Sequence, residues 1–289
     1  MNARAFRLPG AARPLVMTAP PSPHSPLVNR FLLSPNFGER RGGRRPNCLI
    51  LHYTGMPTGE VALARLRDPA SEVSSHYLVW EDGRIDQLVP ERERAWHAGT
   101  SFWKGETDLN SASIGIEIVN SGHDGGLPPF PAPQIEAVIA LSRDICERWR
   151  IAPERVLAHS DIAPMRKSDP GELFPWESLW RAGVGHWVAP QPVSGPALFR
   201  LHDEGPPVRA LQAMLALYGY GVGISGVYDR ETRAAVAAFQ RRFRPARVDG
   251  EADASTVATL KDLIDALHNP RPAVADRRKG GTKEKAART

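Results

Sequence analysis

Cysteine is scarce, with two residues in 289, Cys48 and Cys146. They lie far apart, each among apolar neighbours, and read as buried free thiols, so a disulfide-stapled scaffold is excluded. Long hydrophobic runs are lacking too. No stretch of roughly 18 apolar residues exists, which excludes a membrane-spanning helix. Near the start, Arg4, Arg7 and Arg13 are basic, but Pro9, Gly10 and Pro14 break up any apolar leader core. Export by the usual secretory route is therefore not expected. The net charge of +5 conceals a lack of basic surface: residues 269–289 hold seven Lys and Arg against two Asp and Glu, the whole of the excess. The rest is balanced, with no basic stripe interleaved with aromatics, so nucleic acid is not a partner.

What is present points to two domains, the number that the length suggests. An apolar share of 42% and a charged share of 24% are ordinary for globular chains. Residues 1–34 are rich in Pro and Ser without periodicity and read as a disordered arm. From residue 35 to 185, strands and helices intermingle, which predicts an α/β fold, a mixed β-sheet flanked by helices. Strands are expected at 47–53, 114–119 and 156–158, with a hairpin of 76–80 and 85–89 around Glu81-Asp82-Gly83-Arg84. Helices are expected at 59–67 and 133–150, the latter placing Ile135, Val138, Ile139, Ser142, Ile145 and Trp149 on one face.

Residues 186–199 are rich in Pro, Ser and Gly and read as a linker that is stiff in part. Residues 200–268 then carry three helical patterns, at 208–217, 229–243 and 253–267. Gly226, Asp229 and Thr232 share their spacing with Gly250, Asp253 and Thr256. In each set the Gly permits a turn and the Asp can cap the helix that follows, giving a small three-helix domain. Residues 269–289 read as a disordered basic tail.

The chemistry gathers in one Pro- and Gly-rich loop that holds His159, Asp161, Lys167 and Asp169 and closes on Phe174-Pro175-Trp176. An imidazole, an ammonium and carboxylates on such a loop suit a metal site better than a core. His52 ends the apolar run 48–51, and Glu117 interrupts the apolar run 114–119. A catalytic zinc site uses three protein ligands and keeps a fourth position for water. His52, His159 and Asp169 meet that need; the structural alternative for Asp169 is a turn residue before Pro170, and Asp161 can cap the turn that follows. Glu117 is the candidate general base, because an unpaired carboxylate among Ile and Val is costly to bury without a task. The structural alternative for it is a buried ion pair, with Lys167 as one possible partner. Lys167 suits stabilisation of an oxyanion.

At these residues the chain resembles the zinc-dependent N-acetylmuramoyl-L-alanine amidases related to peptidoglycan recognition proteins. The matching pieces are 50–54 around His52, 75–79 around His76, 95–99 around His97, Asn110 with 113–117, and 159–176. The resemblance implies Asp169 rather than Asp161 as the third ligand, one Zn2+ per chain, and Glu117 and Lys167 as catalytic residues. It implies cleavage of the amide between N-acetylmuramic acid and L-alanine in bacterial peptidoglycan or muropeptides. His76, His97 and Asn110 become candidate substrate-binding residues, and Phe102, Trp103 and Trp176 a candidate apolar wall.

Residues 208–240 resemble the three-helix peptidoglycan-binding module, which implies an anchor that raises local substrate concentration while the linker lets both domains engage. A monomer is expected, in the periplasm or cell envelope on the strength of that module, or in the cytoplasm on the missing leader. The rival reading is a peptidoglycan receptor or wall-anchoring protein that does not cut, against which the complete set of five site residues weighs. His24, His123, His186, His202 and His268 read as surface or linker residues.

Overall fold

The structure is a computed structural model and describes residues 23–268. Its centre is a six-stranded sheet in the order β1-β5-β4-β7-β3-β8. These strands are β1 (Arg30–Phe31), β3 (Cys48–Tyr53), β4 (Tyr77–Val79), β5 (Ile85–Gln87), β7 (Ser113–Ile118) and β8 (Val156–Ala158). All neighbours run parallel except β4 and β5, which form the expected hairpin. A two-stranded sheet of β2 (Phe37–Glu39) and β6 (Glu93–Ala95) lies beside it.

Parallel strands covered on both faces read as continuous apolar runs, and Cys48 to Leu51 are all fully buried. Their alternation splits the core in two. Leu49 and Leu51 pack with Val138, Leu141 and Ile145 of α3 (Ala132–Trp149), where Ile135 and Ser142 are also buried as the spacing predicts. Cys48 and Ile50 face the other way. They join Trp103, Leu157 and Ile162 in one cluster with Leu211, Tyr218 and Phe239 of the C-terminal helices. The C-terminal unit therefore shares a core with the sheet instead of swinging on a tether.

That unit consists of α6 (Pro206–Tyr218), α7 (Arg230–Phe243) and α8 (Ala254–His268). Its repeated motif is built twice in the same way. Asp229 Oδ1 accepts from Thr232 N at 2.8 Å, and Asp253 Oδ1 from Thr256 N at 2.7 Å, so each caps its helix. Gly226 and Gly250 take positive φ in the turns, and Gln212 and Gln240 from the preceding helices each receive the glycine N–H, at 2.8 and 2.9 Å.

Two boundaries differ from expectation. The arm was expected to be disordered through residue 34, but β1 pairs with β5, His24 N donates to Gln87 Oε1, and Ser25 and Ser34 are buried. Main-chain pairing to a sheet edge needs no hydrophobic period, so composition alone could not reveal it. The expected linker 186–199 is also docked: β9 (Ala197–Phe199) pairs with β10 (Ala252–Asp253), and Gln191 N donates to Thr259 Oγ1. Residues 1–22 of the expected arm and the basic tail lie outside the described residues. Among the described residues, no helix is long and apolar enough to cross a membrane, and Cys48 and Cys146 are free thiols.

Candidate active site

The parallel strands deliver their last residues to one place, where ligands bind open α/β sheets. His52 near the end of β3 is the register partner of Glu117 on β7, and Leu51 pairs with Ala158, the residue before His159. His159 opens a single turn, α4 (His159–Ile162), and the chain then loops through Lys167 to Asp169. These residues line a cleft of about 380 Å3.

Three donor atoms converge there. His52 Nδ1 lies 2.9 Å from His159 Nδ1, and each lies 3.0 Å from Asp169 Oδ2. All three residues are buried. The ring hydrogens point elsewhere. A carbonyl can only accept, so the 3.2 Å contact of His159 Nε2 with Ala98 O, shorter than the 3.5 Å approach of Arg166 Nη2 to the same nitrogen, puts the hydrogen on Nε2 and leaves Nδ1 bare. For His52 the logic runs through a chain of contacts. Ser113 Oγ gives its one hydrogen to Leu109 O and so accepts from His97 Nε2 at 3.3 Å. His97 Nδ1 then accepts from His52 Nε2 at 2.9 Å, and His52 Nδ1 is bare as well. Two nitrogen lone pairs and a carboxylate oxygen thus face one another with no proton among them. Such a donor set repels itself unless a cation sits between, and it fits a metal ion.

The electrostatics follow from burial. Desolvation, then the adjacent His159 ring, lower His52 to about 4, which keeps it neutral. Burial alone would raise Asp169, but His159 and His52 outweigh it and hold the carboxyl well below the usual range. Glu117 goes the other way: desolvation and the Asp169 charge raise it well above the usual carboxylate range, with Lys167 opposing. Its Oε2 is buried and has no hydrogen-bond partner among the described residues. Lys167 lines the cleft too, and Glu117 Oε2 has neither it nor any other described residue as a hydrogen-bonded partner, so the buried-pair alternative is not what the described residues contain.

The remaining candidates separate. His97 lines the cleft, yet both ring nitrogens are occupied in holding His52 and Ser113. His76 is fully buried in the sheet, accepting from Gly115 N at Nδ1, and cannot reach a substrate. Asn110 is spent on the backbone: its Oδ1 accepts from His97 N and Ala98 N, fixing the loop whose carbonyl orients His159. Trp103 and Trp176 are buried and pack against Tyr220 and Arg242, not a substrate, while Phe102 is partly exposed. Of the other histidines, His123 was read as a surface or linker residue. It bonds Tyr53 Oη at 2.9 Å and Glu172 at 3.0 Å, and His24 and His186 also have partners, in Gln87 and Tyr218. Trp96 and Arg65 line the cleft and were missed. So was Ser113, although its two-residue spacing from Gly115 and Glu117 puts it on their face of the strand.

Comparison with known proteins adds to this geometry. Residues 42–172 match the family described as N-acetylmuramoyl-L-alanine amidase, and residues 204–260 match a putative peptidoglycan binding domain. The chain is 44% identical to N-acetylmuramoyl-L-alanine amidase AmiD of Escherichia coli over 233 residues, 76% of this chain and 83% of that one. It is 32% identical over 164 residues to the 1,6-anhydro-N-acetylmuramyl-L-alanine amidase AmpD of the same organism, 51% of this chain and 87% of that one. A structure of AmiD in complex with anhydro-N-acetylmuramic acid-L-Ala-D-gamma-Glu-L-Lys aligns with a TM-score of 0.66 at 40% identity, covering 80% of this chain and 97% of that chain. AmpDh3 of Pseudomonas aeruginosa aligns with a TM-score of 0.65 at 33% identity, covering 79% and 94%. The arrangement of the cleft and these likenesses agree, and the chain belongs to the N-acetylmuramoyl-L-alanine amidases.

Proposed function

We propose that His52, His159 and Asp169 hold one zinc ion per chain. The substrate of the enzyme is a muropeptide, including the 1,6-anhydro form, cut at the amide between the lactyl group of N-acetylmuramic acid and L-alanine. One observation carries the metal assignment: two bare imidazole nitrogens and a carboxylate oxygen lie 2.9 to 3.0 Å apart in a buried pocket. Two neutral ligands and one anion suit zinc and leave it net positive. Bound there, it would polarise the scissile carbonyl and acidify nearby water.

The chain's own groups supply the rest. Glu117, raised by burial and unpartnered at Oε2, takes the proton of the attacking water and returns it to the departing amine. Lys167, on the same cleft wall, steadies the oxyanion of the tetrahedral intermediate. His97 keeps its hydrogen bond to His52 throughout.

The anhydro-muropeptide bound to AmiD supports that form as a substrate. The match at 204–260 supports action in the cell envelope, which fractionation of the native host tests. For the chemistry, the test is Glu117→Ala on purified muropeptides. It should abolish release of peptide while zinc stays bound in one-to-one ratio, since Glu117 is not a ligand. Turnover that survives this change would remove the mechanism. Chelation should stop the wild-type enzyme and added zinc restore it.

A further inference from the structure

Outside the cleft, one buried charge joins the two units. Arg242 of α7 has a side chain 1% exposed, and it reaches into the sheet unit. Its Nη1 donates to Asp161 Oδ2 at 2.5 Å, and its Nη2 donates to Val156 O at 2.8 Å and His186 O at 3.3 Å. The guanidinium lies 4.3 Å over the Trp176 ring. Tyr220, just past α6, donates its hydroxyl to the other oxygen, Asp161 Oδ1, at 2.7 Å. Asp161 also accepts from Ala158 N at 2.9 Å.

Asp161 sits in α4, the turn that begins with His159. Four residues make too short a helix to hold itself. Its orientation has to come from outside, and the carboxylate of Asp161 is where the contacts meet: Ala158 from the end of β8, Arg242 and Tyr220 from the C-terminal unit. A buried ion pair is poor evidence of stability for its own sake, because desolvation consumes much of the attraction. Fixed geometry is the better account. Ser160 N donates to Asp169 O at 3.0 Å, so the same turn is tied to the third ligand as well.

We propose that Arg242 and Tyr220 are positioning residues for the metal centre, so that the C-terminal unit splints the turn bearing His159 in addition to any contact it makes with the cell wall. The proposal rests on the assignment of His52, His159 and Asp169 as zinc ligands. Partners that orient a ligand typically change metal affinity by roughly 10- to 100-fold, and contacts one step further out should fall at the lower end.

The test is zinc affinity of the full chain, by competition with a chromogenic chelator at 25 °C. Tyr220→Phe, which removes only the hydroxyl, should weaken zinc several-fold, and Arg242→Met by roughly tenfold or more, with Arg242→Lys recovering part. The control is Gln240→Ala, on the same helix, which loses its bonds to Gly250 and Glu251 instead. It should lower the thermal midpoint yet leave zinc affinity within about twofold of wild type. Zinc affinity unchanged in Tyr220→Phe and Arg242→Met, or weakened equally in the control, would overturn the proposal. If Arg242→Met does not fold, Tyr220→Phe decides. His159→Ala separates the underlying assignment: should it bind zinc as the wild type does, the ligand reading fails, whatever the other variants do.

Discussion

Gly115→Ala tests the hydrogen-bond chain behind His52 with a single methyl group. A Cβ at this position would lie 2.6 Å from His97 Nδ1, 2.7 Å from Cγ and 2.8 Å from Cε1, well inside van der Waals contact. The strand cannot recoil, because β7 is paired to β3 on one side and β4 on the other, and Gly115 N donates to His76. The His97 ring must therefore move. Overpacking of this kind costs about 1–3 kcal/mol. The specific effect is on metal: without Nδ1 of His97 to receive its hydrogen, His52 loses the bond that keeps its own Nδ1 bare, and affinity should drop roughly 10- to 100-fold. The assay pairs chelator competition for zinc with urea unfolding of the metal-free protein. Gly38→Ala in β2, where an added Cβ meets nothing within 4 Å, should change stability by no more than about 0.5 kcal/mol. Adding His97→Ala to Gly115→Ala should relieve the clash, leaving only the cost of the lost His97 ring and its bonds to His52 and Ser113, without restoring zinc. Wild-type zinc affinity in Gly115→Ala would refute the role given to His97.

Acidification should destabilise the metal-free protein through His52. The ring is lowered from 6.5 to about 4, so the unfolded chain binds more protons in that range. Its share of the stability is full above about pH 6.5 and falls by about 3 kcal/mol by pH 4; His52→Ala should remove that share in urea titrations, leaving the losses of the same sign from His186, lowered to about 4, and from His76 and His97, which burial holds well below the usual range. Asp169, held below the usual range, adds loss of the same sign at still lower pH. Lys167→Met should cut kcat by roughly 100-fold or more with little change in KM, as expected for a group acting on the developing oxyanion; an unchanged kcat would discard that role. Glu91 is fully buried and binds Tyr77 Oη, Arg148 and Trp149 Nε1. Glu91→Ala should cost about 1–3 kcal/mol in chemical denaturation by leaving the buried Tyr77 hydroxyl without its acceptor, while Arg148, 30% exposed, keeps its ion pair with Asp144; zinc affinity should be unmoved in the folded fraction.

The sequence revealed what local patterns encode. His52 stood out because an imidazole closes an apolar run, and Glu117 because a carboxylate breaks one; strands of six residues are long enough for such interruptions to show. The helices of the C-terminal unit were visible through their period and through aspartate caps three residues ahead of a threonine. Two-residue strands carry no period, which is why β1 and β10 were not seen. The larger misreading concerned polar side chains. His76 and Asn110 looked available for substrate because nothing near them in sequence satisfies them, whereas their partners come from other elements: Gly115 for the first, His97 and Ala98 for the second. Asp161 looked like a simple cap, and its partner Arg242 lies 81 residues away. Distances of that kind in the chain leave no signature in composition or spacing.

The apolar cluster shared by Cys48, Ile50 and Trp103 with Leu211, Tyr218 and Phe239 bears on engineering. This protein is not a pair of interchangeable cassettes. Truncation before residue 200 would uncover a hydrophobic wall on the sheet and invite aggregation, and a swapped-in wall-targeting domain would need to reproduce the buried face as well as its own recognition surface. The same continuity holds the cleft at one set angle to the C-terminal helices. Whatever those helices grip, the scissile bond must be presented along a single line of approach.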